Sequence, residues 1–185
     1  EGQIVLLDTP GIHKPKSRLG DYMVKVSRNT LQGVDVVCWV VDVEETIGPG
    51  DRFIIGLLKQ VTSPVFLLVN KIDRVHPDTL LPFIDQYRHE IPFEEVIPIS
   101  ALKGNNVRTV IKEIYKRLPV GPQFYPDDQV TDQPEQFIVS ELIREKVLHK
   151  TREEVTHSIA VIMEAMERRS DHQETVYIRA TIVTE

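Results

Sequence analysis

The chain reads as an α/β protein, a partial doubly wound parallel sheet followed by the start of a small α+β unit. Three observations predict this. Short, nearly continuous apolar runs recur along residues 1–118, separated by stretches with helical spacing. Such runs suit strands covered on both faces, and alternation with helices gives a parallel sheet. Three of the runs end in polar clusters, and in open α/β sheets the carboxyl ends of the strands form one ligand-binding rim. After a proline-rich tract the pattern changes to one helix and two alternating runs.

Taken in order, Ile4-Val5-Leu6-Leu7 predicts a buried strand with Asp8 at its carboxyl end. The turn Asp8-Thr9-Pro10-Gly11 follows. Pro and Gly make turns without any ligand, so a plain turn is the competing reading. Ser17 can cap a helix to about Leu31, with Leu19, Met23, Val26 and Leu31 near helical spacing. Val36–Val41 predicts the second buried strand and places Cys38 in the core. Asp51 is placed to cap a helix over 52–60. Pro64 opens a third strand over 65–69, ending in Asn70-Lys71-Ile72-Asp73. Asp78 starts a helix to about Glu90, and 96–99 predicts a fourth strand ending in Ser100-Ala101-Leu102. Lys103-Gly104-Asn105-Asn106 turns into a helix over 107–118.

Pro119, Pro122, Pro126 and Pro134 mark residues 119–135 as an extended linker. The second unit spans 136–185. Phe137–Lys150 predicts an amphipathic helix with Ile138, Leu142, Ile143 and Val147 on one face. Strands are expected over 157–166 and 174–184; in the second, Val176, Ile178, Ala180 and Ile182 alternate with polar positions.

Composition narrows the functional classes. The 185 residues carry a net charge of −6, with 41% apolar and 27% charged residues. A bulk-basic nucleic-acid binder is excluded, so any RNA contact must use a local patch. A single cysteine allows no intrachain disulfide, which fits a reducing compartment. No apolar stretch spans a bilayer and no signal peptide is visible, so the expectation is cytoplasmic. The first residue is not Met, and the chain is expected to begin within a domain.

The clusters carry the chemistry. A carboxylate such as Asp8 beside the accessible N–H of Gly11 suits Mg²⁺ and a phosphate oxygen, as a nucleoside triphosphatase requires. In Asn70-Lys71-Ile72-Asp73, the Asp73 carboxylate can accept both the ring N–H and the exocyclic amino group of guanine. Adenine cannot return that two-point contact. Asn70 can tie loops together, and the stem of Lys71 can lie over a ring plane. The N–H of Ala101 can donate to the guanine keto oxygen. Each motif is short, and each also makes an ordinary turn. Their order carries more weight, with 62 positions from Asp8 to Asn70 and 30 from Asn70 to Ser100.

In that order the set resembles the nucleotide-reading motifs of translation-factor-related GTPases. HKPKSRLGDYM, LPVGPQFYPDDQVTDQPEQF and above all SELIREKVL resemble the Era-like family, bacterial ribosome-assembly GTPases with a GTPase domain, a linker and a C-terminal KH RNA-binding domain. The likeness covers the whole chain. It implies a P-loop GTPase domain lacking its N-terminal part over 1–118 and the N-terminal part of a KH domain over 136–185. It implies GTP hydrolysis to GDP with Mg²⁺, and binding of small-subunit ribosomal RNA and the 30S subunit in small-subunit assembly. A monomer with peripheral association with the inner membrane is expected as well.

Residue by residue, the resemblance implies that Asp8 holds Mg²⁺ through a water and Gly11 donates to the γ-phosphate. Thr9, Pro10 and Ile12 shape that loop. Asn70, Lys71, Ile72 and Asp73 read guanine, with Ser100, Ala101 and Leu102. Ile12 stands where Ras-like GTPases carry a water-orienting glutamine, so intrinsic hydrolysis should be slow and no catalytic residue is identified. His13 reads as a solvated loop histidine rather than a base.

The sequence also departs from the pattern. No glycine is followed by lysine, so the phosphate-cradling G-x-x-x-x-G-K-[ST] is absent, as is the KH Gly-x-x-Gly loop. Truncation at both ends is expected, with weak nucleotide binding and little RNA binding by this segment alone. The competing expectations are a catalytically inactive interaction module, or a KH-type RNA-binding protein whose GTPase-like domain is structural.

Overall fold

The structure is a computed structural model that describes residues 2–9, 18–129, 131–151, 159–168 and 175–184. It divides into two compact units, residues 1–124 and 125–185.

The first unit is built on a three-stranded parallel sheet in the order β1-β2-β3, with β1 Val37–Asp42, β2 Val65–Asn70 and β3 Glu95–Pro98. β2 is central, and every residue from Val65 to Val69 is buried. Strand alternation divides the apolar side chains between two layers. Val37, Trp39, Val41, Val65, Leu67 and Val69 point to one face. There they meet Ile55 and Leu58 of α2 (Pro49–Leu58), and Phe83 and Tyr87 of α3 (Leu80–Arg88). Trp39 meets the Tyr87 ring edge-on at 5.3 Å. Phe66, Leu68, Ile97 and Ile99 point to the other face and pack with Val110 and Ile114 of α4 (Val107–Tyr115). Helices therefore cover both faces, as expected of a doubly wound sheet. α1 (Arg18–Leu31) leads into β1, and its last residue Leu31 packs against the first layer.

At the amino end of β3 an ion cluster closes the fold. Arg117 pairs with Glu94, Glu95 and Glu113 at 2.6–3.1 Å and lies over the Phe66 ring, 5.0 Å from its centre. This end of the sheet is internally satisfied.

Several expectations are corrected. Ile4–Leu7 is not a strand. Only Ile4 packs on a core layer; Val5, Leu6 and Leu7 are exposed, Leu6 at 83%. An apolar run becomes a strand only where a neighbour supplies ladder partners, and among the described residues it pairs with none. Cys38 is exposed rather than buried, together with Val40. β1 alternates buried and exposed, so its second face lies open among the described residues. Surrounding atoms still push the Cys38 thiol upward by desolvation. α2 begins at Pro49, three residues earlier than expected, because proline suits a first helical turn. Asp51 sits inside it and accepts from the Gly48 N–H at 2.8 Å.

The second unit comprises α5 (Glu135–Lys150) and an antiparallel pair, β4 (Ile159–Arg168) and β5 (Val176–Thr184). The helix starts two residues before the expected Phe137. The register shifts between Met163 and Ala165, and the intervening Glu164 pairs with Arg179 at 2.9 Å. The inward faces are less covered than the pattern implied. Ile138, Leu142, Ile178 and Ile182 are exposed, while Ile143, Val147, Val176 and Ala180 are half-buried. Apolar residues occur nearly all around α5, and only one side of a helix can meet a two-stranded sheet. Val139, Leu142, Ile143, Val147 and Ile178 help line an open apolar groove of about 590 Å³. Among the described residues no helix is long and apolar enough to cross a membrane.

Candidate functional site

Parallel strands put their carboxyl ends on one side, so the tips after β1, β2 and β3 share a rim. The tip after β2 is the most constrained. Lys71 adopts the left-handed region at φ 65°, then Ile72–Arg74 form a single 3-10 turn. A side chain with a Cβ is rare in that region, so neighbours must hold it there. They do so from both sides. The Val43 N–H donates to the Asn70 carbonyl at 3.1 Å, and the Ile72 N–H donates to the Ile99 carbonyl at 3.2 Å.

The tip after β3 is tied to the same loop. The Ala101 N–H donates to the Asn70 side-chain oxygen at 3.0 Å. The Ser100 hydroxyl, only 1% exposed, accepts from the Lys103 N–H at 3.1 Å and lies beside the Asp73 carboxylate. That hydroxyl is the largest reason the Asp73 carboxyl lies below the ordinary aspartate value. Asp73 is solvent-exposed, ionised at neutral pH, and retains free acceptor capacity. A left-handed Gly104 and a left-handed Asn106, which donates its amide to the Pro98 carbonyl at 2.8 Å, shape the turn into α4.

The structure thus unites Asn70, Lys71, Ile72, Asp73, Ser100 and Ala101, while Leu102 is exposed beside them. Asn70 joins the loops, as its amide allows. One expectation changes. The Ala101 N–H is not free for a ligand oxygen, because Asn70 accepts from it. A keto oxygen would have to share that donor or replace Asn70.

Asp8 and Thr9 are also among the described residues. Asp8 is exposed, without a hydrogen bond or ion pair among the described residues, and Thr9 is half-buried. Pro10, Gly11, Ile12 and His13 lie outside the described residues, as does Ser17. No cluster of three or more metal-ligating side chains occurs among the described residues. Mg²⁺ keeps several waters and takes one or two carboxylates plus phosphate oxygens, so a single carboxylate can serve it. The Asp8 carboxylate, a hard oxygen donor, fits such a role.

Asp42, Glu44 and Arg74 went unnoticed in the motif reading. Asp42 pairs with Lys71, and Glu44 pairs with Arg74 at 3.0 Å. The signal was present: a carboxylate directly after a buried run, on the rim where the other clusters fall.

Fold and rim together define a class, the α/β domains that carry their ligand loops beyond the carboxyl ends of parallel strands. Within that class the chain belongs to the family of the elongation factor Tu GTP binding domain, whose family model matches residues 1–120. Over all 185 residues it is 53% identical to the GTPase Era of Staphylococcus haemolyticus, covering 61% of that protein. It is similar to a crystal structure of an Aquifex aeolicus Era variant bound to GDP and AlF4−, with a TM-score of 0.85 and 37% identity over 96% of this chain and 60% of that one. A crystal structure of Era in complex with MgGDPNP and nucleotides 1506–1542 of 16S ribosomal RNA matches with the same TM-score and identity, over 96% of this chain and 61% of that chain. The chain spans about three-fifths of the length of these relatives.

Proposed function

We propose that the protein to which this chain belongs binds guanine nucleotides with Mg²⁺, hydrolyses GTP to GDP, and binds small-subunit ribosomal RNA during assembly of the 30S subunit. The observation that carries this reading is the Asn70–Ala101 hydrogen bond across two strand tips, with the Ser100 hydroxyl beside Asp73 and lowering its carboxyl. It leaves an ionised carboxylate beside a loop junction in a chain 53% identical to an Era GTPase.

In this reading Asp73 accepts from the ring N–H and the amino group of guanine, and Ser100 keeps it charged and oriented. Asn70 holds the second loop against the first. The stem of Lys71 covers one face of the purine, and Ile72, Ala101 and Leu102 complete the wall. Asp8 holds Mg²⁺ through a water; the ion, when bound, neutralises phosphate charge. Thr9, Pro10, Gly11 and Ile12 shape the phosphate side, with the Gly11 N–H serving the γ-phosphate. Ile12 has no polar group to orient water, so hydrolysis without a partner is slow.

Residues 136–185 are read as the opening of a KH-type RNA-binding domain, joined through the proline-rich tract. Support comes from the helix and antiparallel pair, together with the likeness to an Era structure holding 16S ribosomal RNA. The protein works in the cytoplasm as a monomer, with peripheral contact to the inner membrane.

Asp73→Asn in the full-length protein tests the nucleotide reading. An amide cannot accept from both guanine donors, but it can donate to the extra oxygen of xanthine. Guanine nucleotide affinity should fall by about a hundredfold or more while xanthine nucleotide affinity rises. Unchanged selectivity would remove Asp73 from the site. Filter binding of the full-length protein to 16S ribosomal RNA tests the second part.

A further inference from the structure

Two acidic residues at the tip of β1, Asp42 and Glu44, pair with the loop that follows β2. Asp42 lies in register with Asn70 across the parallel pair. One of its oxygens accepts from the Glu44 N–H at 3.0 Å, and the other pairs with the Lys71 ammonium. Glu44 pairs through its own carboxylate with Arg74 at 3.0 Å. The Asp42 side chain is mostly covered while that of Lys71 is about half exposed, so the pair is less open to solvent than an ordinary surface contact.

Lys71 sits in the left-handed backbone region, where a lysine has no preference of its own. Its ammonium makes its ion pair with Asp42 rather than with Asp73 in the same loop. Anchoring the ammonium fixes both ends of a four-carbon stem. A free lysine would lose that rotamer freedom on meeting a ligand. Asp42 itself lies outside the loop that reads the base.

We propose that Asp42 is a positioning residue for guanine binding: through its ion pair with Lys71 it holds the lysine stem in place as the apolar cover for one face of the purine. This rests on the nucleotide reading above and deepens it. The role is sequence-independent with respect to the base edge, so it adds affinity without adding discrimination. Asp73 alone carries the edge-reading charge.

The test uses the full-length protein and fluorescent guanine nucleotides, with Asp42→Asn, Lys71→Met and the double variant. Asparagine keeps an oxygen for the Glu44 N–H and removes only the charge, so the loop should still fold. Asp42→Asn should weaken GDP and GTP binding by about threefold to tenfold. KM for GTP should rise with kcat unchanged, and the guanine-over-xanthine ratio should stay constant. The double variant should be no weaker than Lys71→Met alone, because Asp42 acts only through that lysine. Affinity within twofold of wild type for Asp42→Asn, or losses that multiply in the double variant, would overturn the proposal. Wild-type protein that binds no guanine nucleotide would instead overturn the underlying reading, an outcome separable from either.

Discussion

The rim after β2 and β3 and the segment 4–9 are equally promising as sequence, and they fold very differently. Both begin with an apolar run and end in an Asp. Around Asn70, the run is the central strand of a sheet and its polar tip is held by contacts from two neighbouring tips. Around Asp8, the run pairs with nothing among the described residues and three of its four apolar side chains face solvent. The difference shows that a strand is a property of its neighbours, whereas a polar tip that ties two loops together is specified by a few side chains.

The largest effect on stability should come from the centre of the sheet. Leu67 is fully buried between Trp39, Val41 and the helices below. Leu67→Ala removes buried methyl groups and leaves a cavity, which costs about 2–5 kcal/mol. Urea unfolding of this 185-residue chain measures it. A cost under 1 kcal/mol would mean that the sheet is loosely packed, and the contrast with segment 4–9 would vanish.

A smaller and more local effect should follow from Ser100→Ala. The hydroxyl is what chiefly lowers Asp73, so its loss lets the Asp73 pKa move back up toward the ordinary carboxylate value of about 3.9. The sign follows from linkage. A depressed carboxylate contributes fully above its unfolded value, and the contribution is lost as pH falls through the folded value. If the proposed nucleotide reading holds, guanine nucleotide binding by the full-length protein should persist to a lower pH than it would with an unshifted Asp73. In Ser100→Ala its acid limb should begin at higher pH. The Asp42–Lys71 pair adds no slope near neutrality, since Asp42 is shifted down and Lys71 up. Coincident acid limbs for the two proteins would separate Ser100 from Asp73 and weaken the account of how the tips cooperate.

What was legible in the sequence follows the same division. β1, β2 and β3 appear within one or two residues of their expected places, because continuous burial on a central parallel strand leaves a run of Val, Leu and Phe that little else explains. The convergence of Asn70–Asp73 with Ser100–Leu102 was legible from position alone, since both follow strands of one parallel sheet. Coverage was not. Cys38 sits in a run as apolar as that of β2, yet β1 alternates buried and exposed positions and leaves it on the exposed side. The Lys71–Asp42 pair was hidden for a related reason. It depends on β1 and β2 lying side by side in register, a fact about partners rather than about either stretch.

Leu6→Ser should produce the smallest effect, and it addresses the comparison directly. Leu6 is 83% exposed, so replacing it in this 185-residue chain should change unfolding free energy by no more than about 0.5 kcal/mol. In the full-length protein the outcome depends on whether other residues pair with this run. If they do, Leu6 becomes a buried strand residue, and a polar substitution there should cost several times more, about 2 kcal/mol or above. A cost that differs between the two lengths would show that the run keeps its strand character in reserve, and that Asp8 reaches its place beside the phosphates only when that pairing forms. Equal small costs in both would leave Asp8 on an unanchored segment and confine the organised half of the site to the tips after β2 and β3.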